Sequence, residues 1–507
     1  MFKHIKTSYL YIFLLCIHHF AHTNIAGFID EEEIINLRQE ENDDEKNRSI
    51  LSQDDLLELR AINQKKPTTI VIYIAADNDL HPYAWKNIKQ MENIGSNDNI
   101  NIIVQINSPG SLNGTKRYII KNNKRLLVPA EEFQSNQKLN SGHPDTLIDC
   151  VAWAMEHYPA DNLILNLWDH GSGVYDPGMA RAVNSLDLFR MNIETNELEL
   201  NRTIGYSELM NPLQEDIFLS NKNEINTFYN QKFKEETDYK IRGICFDESF
   251  KSYMTNQDLK YALYKIQNEV LQGKKIGVIW FDACLMSMVE IANICKDHVD
   301  YFVGSQEVEF ASGSNYELAL TPFINGNLNS REFACHVVSS YKRAYQFITR
   351  DYTQSAIELA RLTELEANIH LVANQLLLAI ENQYNNSVIK MLQLSKARHC
   401  CTCFQEPSYI DLRDFYINLQ RNLQLMILID QTKEATIRFN LLRLLDQGIN
   451  IINATVVANE TGSNLQRACG LSIYFPERGM FTSYPKCSFA QINSWTILLA
   501  QYLLAKK

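Results

Sequence analysis

The sequence has no excess of positive charge, and this absence excludes one class of partner. Among 507 residues, 60 are Asp or Glu and 48 are Lys or Arg, so the formal net charge is −12. A nucleic-acid-binding protein normally presents a basic face to the phosphates. We therefore expect no nucleic-acid partner. The negative charge is compatible with cationic substrates, although charge alone does not identify them.

Long apolar runs are also missing beyond the N-terminus, so no membrane-spanning helix is predicted there. Residues 9–20 are apolar and follow a short basic start. This order is typical of an export signal, with cleavage after Ala21 or Ala26. An uncleaved anchor is the alternative interpretation. We predict a signal peptide over residues 1–26 and a secreted or periplasmic protein with no membrane association after its removal.

The next segment, residues 27–65, is acidic and polar with few apolar neighbours. Such a composition favours a solvated leader, and a pro-segment is the alternative.

The sequence contains no repeat and no disulfide framework. Its 11 cysteines do not have the spacing of a small disulfide-bonded scaffold. The cluster of His399, Cys400, Cys401 and Cys403 suggests metal binding, but zinc sites usually need two separated pairs of ligands, and a clear second pair is missing. A loop with incidental thiols or a disulfide is therefore favoured over a metal-binding sensor.

Apolar strand-like runs alternate with amphipathic helical segments, which predicts an α/β fold with a mostly parallel sheet between helices. The predicted strands cover residues 68–75, 101–106, 163–168, 241–247, 276–281 and 301–304. The predicted helices cover residues 80–94, 145–157, 256–271 and 285–296. Residues 174–240 break this pattern and predict an irregular insertion.

The last third of the chain is predicted to be mainly helical. Its helices cover residues 330–349, 363–384, 408–426, 431–448 and 489–505, and single strands cover residues 355–359 and 470–475. We expect a core domain over residues 66–350 and a mainly helical C-terminal region, residues 351–507, that contributes strands.

Two of the predicted strands end in reactive side chains. Residues 163–168 lead to His170, and residues 276–281 lead to Cys284. Parallel strands present ligand sites beyond their carboxyl ends, so the two side chains are expected at one sheet edge. An imidazole beside a thiol is the arrangement of a cysteine nucleophile and its proton acceptor.

Further features support this chemistry, but each has a structural alternative. Cys284 is expected to begin a helix, whose N-terminus would favour a thiolate. The N–H groups of Gly171 and Cys284 are candidates for an oxyanion hole. A turn histidine at 170 and a buried structural cysteine at 284 are the alternatives.

Asp282 lies two residues before Cys284, so in an extended segment both side chains face the same side. Its carboxylate is a candidate for binding a basic substrate side chain. Capping of the helix predicted after Cys284 is the alternative.

Eight segments together resemble the clostripain family of cysteine peptidases, which share the caspase-like fold. They are IVIYIAADNDL (70–80), LILNLWDHGSG (163–173), GICFDES (243–249), FDACLMSMVEIA (281–292), VGSQEVE (303–309), SAIEL (355–359), YIDLRDFY (409–416) and GLSIYFP (470–476). The resemblance implies a caspase-like catalytic domain over residues 66–350. It also implies a Cys–His dyad of Cys284 and His170, with Asp282 selecting basic residues at the cleavage site.

The resemblance further implies a precursor that is cut between the histidine and cysteine strands. Arg181 and Arg190 are the preferred candidates for self-cleavage within residues 174–240. The substrates would be proteins or peptides. The chemistry requires no cofactor; some family members need calcium, and we assign no metal ligand.

The sequence departs from the family pattern at positions that could line the cleft. Val174 follows HGSG where an aromatic residue is common, and Gly313-Ser314-Asn315 replaces a common Gly-Trp. Glu307 and Glu309 are expected in a solvated loop, and a contribution to the recognition of basic side chains is the alternative. An inactive caspase-like binding protein is therefore the alternative to an exported endopeptidase.

Overall fold

The computed structural model describes residues 64–110, 114–129, 138–175, 188–192, 195, 197–202, 243–481 and 483–506. The predicted signal peptide, nearly all of the acidic leader, and Arg181 lie outside these residues. Within the described ranges, no helix combines the length and apolar character needed to cross a membrane.

The strands are β1 (Lys66–Ala75), β2 (Ile100–Asn107), β3 (Lys116–Lys121), β4 (Lys124–Leu127), β5 (Ala160–Trp168), β6 (Phe189–Asn192), β7 (Glu197–Leu200), β8 (Gly243–Asp247), β9 (Ser252–Thr255), β10 (Ile276–Asp282), β11 (Val299–Gly304), β12 (Thr353–Glu358), β13 (Tyr409–Asp411), β14 (Val456–Thr461) and β15 (Ser472–Tyr474). The α-helices are α1 (His81–Glu92), α2 (Pro144–His157), α3 (Asn256–Lys265), α4 (Val289–Cys295), α5 (Tyr316–Leu320), α6 (Ser330–Tyr345), α7 (Leu362–Asn382), α8 (Ser387–Lys396), α9 (Leu412–Asn422), α10 (Gln431–Thr455), α11 (Ser488–Ile492) and α12 (Trp495–Ala505).

In the part of the chain that the structure describes, nine strands form the central sheet in the order β14-β12-β11-β10-β5-β1-β2-β3-β4. The five inner strands from β11 to β2 are parallel to one another. The outer strands β12, β14, β3 and β4 are added through antiparallel pairs. The predicted α/β class with a mostly parallel sheet is therefore confirmed. The edge strands β3, β4 and β14 were not predicted.

The sheet is covered by helices on both faces because side chains along each inner strand alternate between two apolar cores. In β1, Ile70, Ile72 and Ile74 belong to the core shared with α1, α5 and most of α6. Val71 and Tyr73 belong to the larger core, which contains α2, α3, α4 and the C-terminal helices. The helical C-terminal region thus completes one face of the sheet.

Among the described residues, three short strand pairs lie outside the central sheet. β8 pairs with β9, β13 pairs with β15, and β6 pairs with β7, all antiparallel. The β6–β7 hairpin lies within residues 174–240, for which the sequence predicted only irregular structure. Leu188, directly before this hairpin, lines the pocket at the carboxyl ends of β5 and β10.

The helix predicted to begin after Cys284 begins later, at Val289. Leu285 has a positive φ of 62°, a conformation that interrupts a helix. Long-range backbone bonds use the intervening residues instead: Leu285 N–H donates to Glu307 O, and Ser287 N–H donates to Ser305 O. The prediction that Cys284 lies at a helix N-terminus was therefore wrong, and the helix dipole does not stabilise its thiolate.

Candidate active site

The register of two strands brings His170 and Cys284 to the same edge of the sheet. β5 and β10 are parallel neighbours, and Trp168 pairs with Asp282. His170 and Cys284 each lie two residues beyond this pair. Asp169 N–H donates to Asp282 O at 3.3 Å, so the ladder extends past both strands. Both side chains line one small pocket.

A glycine next to His170 permits the loops after the two strands to approach closely. A Cβ atom at Gly171 would lie 2.5 Å from Cys284 O and 3.0 Å from Ala283 Cβ. No larger residue fits there without moving the backbone. Gly171 therefore keeps the histidine loop against the cysteine loop.

The Cys284 thiol is buried and bonded to the backbone of Glu309. Its Sγ accepts a hydrogen bond from Glu309 N–H at 3.2 Å and lies 3.8 Å from Glu309 O, to which it donates. Burial raises the pKa of the thiol above its ordinary value. In this arrangement Cys284 is held as a neutral thiol.

His170 is buried and bonded to a carboxylate that the sequence did not single out. Its Nε2 is 2.7 Å from Asp79 Oδ1, and the ring of Phe246 packs edge-on against it. Burial would lower the pKa of His170, but the hydrogen bond and charge of Asp79, with the charges of Asp169 and Glu248, raise it. The neighbouring carboxylates thus stabilise the positive charge that the ring acquires when it accepts a proton.

Asp169, next to His170, is buried and hydrogen-bonded to two other loops. Asn78 Nδ2 donates to its Oδ1 at 2.7 Å, and Phe246 N–H donates to its other oxygen. Burial raises the pKa of Asp169 to about 8. The carboxyl ties the loops after β1, β5 and β8 together.

Asp282 lies at the base of the pocket and does not cap a helix. Its Oδ1 accepts Ser314 N–H at 2.8 Å, and its Oδ2 accepts the Tyr316 hydroxyl at 2.7 Å. Burial raises the pKa of Asp282, and the hydrogen bonds of its neighbours oppose this shift. The helix-capping interpretation was wrong, because the following helix begins only at Val289.

Glu309 lines the pocket together with Asp169 and Asp282, and the expectation of a solvated loop was wrong. Glu307 is 0% exposed and Glu309 is 4% exposed. Burial raises the pKa of Glu309 well above its ordinary value, and the charge of Asp282 and a hydrogen bond to it raise it further. Two buried carboxyls in contact share a proton unless a cation joins them.

The pocket between these groups is small and is closed by the β6–β7 segment. Its volume is about 20 Å³, and Leu188, directly before β6, forms part of the wall together with Gly313. That volume holds about one water molecule. Phe189 stacks on Phe310 with ring centroids 4.1 Å apart. In this structure the segment leaves no room for a long side chain.

Arg190, one of the two predicted processing sites, lies in β6 next to this closure. It pairs with Glu199 across the hairpin, and its side chain is 66% exposed. Arg190 is not among the residues that line the pocket, whereas Leu188 is.

The structure gives no support to a metal centre in the part of the chain that it describes, where no group of three or more metal-binding side chains converges. Cys401 and Cys403 are buried free thiols. Asp77, near the pocket, is paired with Lys138 at 2.6 Å. We assign these residues no calcium or zinc site.

Replacement of Gly313 by Ala should destabilise the pocket. Gly313 has a φ of 55°, and an added Cβ would lie 2.7 Å from Asp282 Oδ2. The strained backbone alone costs about 1–2 kcal/mol, and the contact adds to it. We expect a loss of about 2 kcal/mol or more in the free energy of unfolding, measured by urea denaturation. Gly110→Ala is the matched control, because Gly110 also has a positive φ but no atom of the described residues lies within 4 Å of the added Cβ. Equal losses in the two variants would contradict the steric explanation.

Comparisons with known proteins identify relatives of this arrangement. The sequence profile of the clostripain family, peptidase family C11, matches residues 72–199 and 228–495. A comparison with curated protein sequences finds no match.

Among solved structures, one similar fold is that of iotapain, a secreted C11 cysteine protease from Bacteroides thetaiotaomicron. It has 13% identity and a TM-score of 0.53, covering 85% of this chain and 99% of the other. Another is an inactive zymogen of a C11 protease from Parabacteroides distasonis, with 17% identity, a TM-score of 0.51, and coverage of 85% and 99%. At these identities the likeness shows the fold, which is the caspase-like fold expected from the sequence. Because the family profile spans most of the sequence, the chain belongs to the clostripain family of cysteine proteases.

Proposed function

We propose that this protein is an exported cysteine endopeptidase that cleaves peptide bonds after Arg or Lys and is made as a closed precursor. The single observation that carries the proposal is the convergence of His170, Cys284, Asp282 and Glu309 on one pocket. A nucleophile, a proton acceptor and a pair of acids for a cationic side chain are the parts that this reaction needs.

The proposed reaction begins when Cys284 transfers its proton to His170. The thiolate attacks the scissile carbonyl, and the N–H groups of Gly171 and Cys284 stabilise the oxyanion. His170 then protonates the leaving amine, and the C–N bond breaks to give an acyl-enzyme. Water hydrolyses the thioester with His170 as the base, and the thiol is restored.

The preference for Arg or Lys follows from the two acids. A guanidinium or ammonium group entering between Asp282 and Glu309 would displace their shared proton and compensate both carboxylates. A neutral side chain of the same length would leave the acids protonated and add no charge-assisted hydrogen bond.

Matched fluorogenic peptides that differ only in the residue before the scissile bond test this proposal. We expect Arg and Lys to exceed norleucine, an uncharged analogue of Lys, by about 10²-fold in kcat/KM, which corresponds to two hydrogen bonds to charged groups. Equal rates for Lys and norleucine would refute the specificity. Failure of the mature protein to cleave any peptide would instead favour the inactive binding protein.

The closed pocket supports the precursor part of the proposal. An Arg side chain cannot enter a space of about 20 Å³, so Leu188 and the β6–β7 hairpin must move before substrate binds. A cut within residues 174–240, at Arg181 or Arg190, would release the hairpin. Mass spectrometry of the active enzyme should show two fragments, and a single intact chain in active enzyme would refute this step.

Phe189→Ala should loosen the closure without a cut. The ring stacks on Phe310, and loss of such a pair weakens packing by about 0.5–1.5 kcal/mol beyond the lost area. We expect the intact chain to hydrolyse Arg substrates roughly ten times faster, since about 1.4 kcal/mol is tenfold. Initial rates are measured on uncut protein.

Phe347→Ala is the matched control for this experiment, because Phe347 is 85% exposed and lies outside the pocket wall. An unchanged rate in Phe189→Ala would show that the stacked ring does not hold the pocket closed.

A further inference from the structure

The loop after β1 places a carboxylate on the imidazole of His170. β1 pairs with β5 with Ile74 beside Trp168, so the residues that follow the two strands lie next to each other. Asp79 Oδ1 is 2.7 Å from His170 Nε2. The Asp79 side chain is 36% exposed and that of His170 is 6% exposed, so a partly hydrated carboxylate meets a buried ring.

Hydrogen bonds on both sides fix the position of Asp79. Asn78 Nδ2 donates to Ala75 O at 2.9 Å and to Asp169 Oδ1 at 2.7 Å, and Asn78 Oδ1 accepts Leu80 N–H at 3.0 Å. The Asp77 carboxylate is paired with Lys138. A loop anchored at these points holds the Asp79 carboxylate in one place.

Building on the proposed Cys–His chemistry, we propose that Asp79 is a positioning residue. Its carboxylate accepts the Nε2–H of His170 and thereby leaves Nδ1 free to take the proton of Cys284. A neutral imidazole carries one N–H, and the partner of one nitrogen decides which nitrogen remains free to accept. A carboxylate can only accept, so it selects the tautomer with the proton on Nε2. It also stabilises the imidazolium that forms when the thiol ionises.

Other charged groups lie near the same ring, and their effects on it must be distinguished from that of Asp79. They are Asp169 in the histidine loop, Glu248 after β8, and Asp282, Cys284 and Glu309, which line the pocket. Asp79 differs from them because its carboxylate is hydrogen-bonded to Nε2 of the ring. Its removal should therefore change the tautomer as well as the charge.

The test compares Asp79→Asn, Asp79→Ala and Asp79→Glu in the full, mature enzyme. An Asn amide can donate to Nε2 and select the wrong tautomer, so we expect kcat on an Arg peptide to fall by about 10²- to 10⁴-fold, as for the corresponding change in a serine protease triad. KM should change less than threefold. Asp79→Glu should recover at least ten times the kcat of Asp79→Asn, because it restores an acceptor.

The pH profile gives a readout that a merely structural role would not move. Without Asp79 the pKa of His170 loses its principal raising contribution, so the limb of the kcat/KM profile that belongs to His170 should move to lower pH. Asp258→Asn is the control, since Asp258 belongs to the capping box at the start of α3 and does not line the pocket. It should lower thermal stability without moving that limb.

Alkylation of Cys284 by iodoacetamide, followed by mass spectrometry of its peptide, separates this inference from the proposed substrate class. If the alkylation rate falls equally in His170→Ala and in Asp79→Asn, the inference is supported even if no Arg or Lys peptide is cleaved. An unchanged kcat, pH limb and alkylation rate in Asp79→Asn would overturn it.

Discussion

Cys284→Ala is expected to abolish peptide hydrolysis and to leave the chain uncut. The thiol is the only group in the proposed reaction that forms a bond to the substrate, and loss of a nucleophile from a Cys–His or Ser–His unit costs about 10⁴- to 10⁶-fold in kcat. If the enzyme cuts itself, the variant should remain a single chain through residues 174–240. The measurements are hydrolysis of an Arg peptide and the mass of the purified protein.

Two variants make this result specific. Cys284→Ser keeps nearly the same volume, so its loss of activity cannot be ascribed to a cavity. Cys335→Ala removes a free thiol that is only partly buried on α6 and should retain activity. Hydrolysis by Cys284→Ala at the wild-type rate would exclude the thiol as the nucleophile, whereas a cut chain in that variant would show processing by another protease.

The ends of β5 and β10 could be predicted because each is a continuous apolar run, and buried parallel strands have this pattern. That pattern places His170 and Cys284 at strand ends. The sequence could not provide the strand order, so it could not show that β1 lies beside β5 and carries Asp79 to His170. The polar run Ala76-Asp77-Asn78-Asp79 directly after a buried strand was the available signal.

Other errors arose where tertiary contacts override local pattern. Residues 285–296 are apolar with helical spacing, yet Leu285 and Ser287 donate to the loop after β11, and the helix starts only at Val289. Glu309 was expected in solvent because acidic loops usually are. Its buried side chain interacts with Asp282 and Gln354, which are distant in sequence, so composition could not reveal its burial.

Asp282→Asn should remove most of the preference for basic residues. Asn keeps the size of the side chain and can still accept from Ser314 N–H or the Tyr316 hydroxyl, so the pocket should keep its shape. The lost carboxylate is worth about 3 kcal/mol to a bound guanidinium, or roughly 10²-fold in kcat/KM. Cleavage after norleucine should be nearly unchanged, since an uncharged side chain gains nothing from the acid.

The pH dependence follows from the raised pKa values of both acids. In the wild type, a cationic side chain binds best when Asp282 and Glu309 have lost their shared proton, so KM for Arg peptides should rise as pH falls below the raised pKa values. Asp282 raises the pKa of Glu309, so Asp282→Asn should let Glu309 ionise at lower pH. The residual preference for Arg should then begin at lower pH and should disappear when Glu309→Gln is added.

The pair of Asp282 and Glu309 should also make the free energy of unfolding depend on pH, in a direction that can be checked. A carboxyl whose pKa is higher in the folded than in the unfolded protein binds its proton more tightly when folded, so its contribution to stability is present at low pH and is lost as pH rises above the ordinary value of about 4. The urea midpoint of the wild type should therefore fall more steeply between that pH and the raised pKa values than that of Asp282→Asn. Glu317→Gln, which removes an acid bonded to Asn93 on the surface, should behave as the wild type. If Asp282→Asn shows this stability difference but keeps its preference for Arg, the two acids interact in the folded protein but do not recognise the substrate.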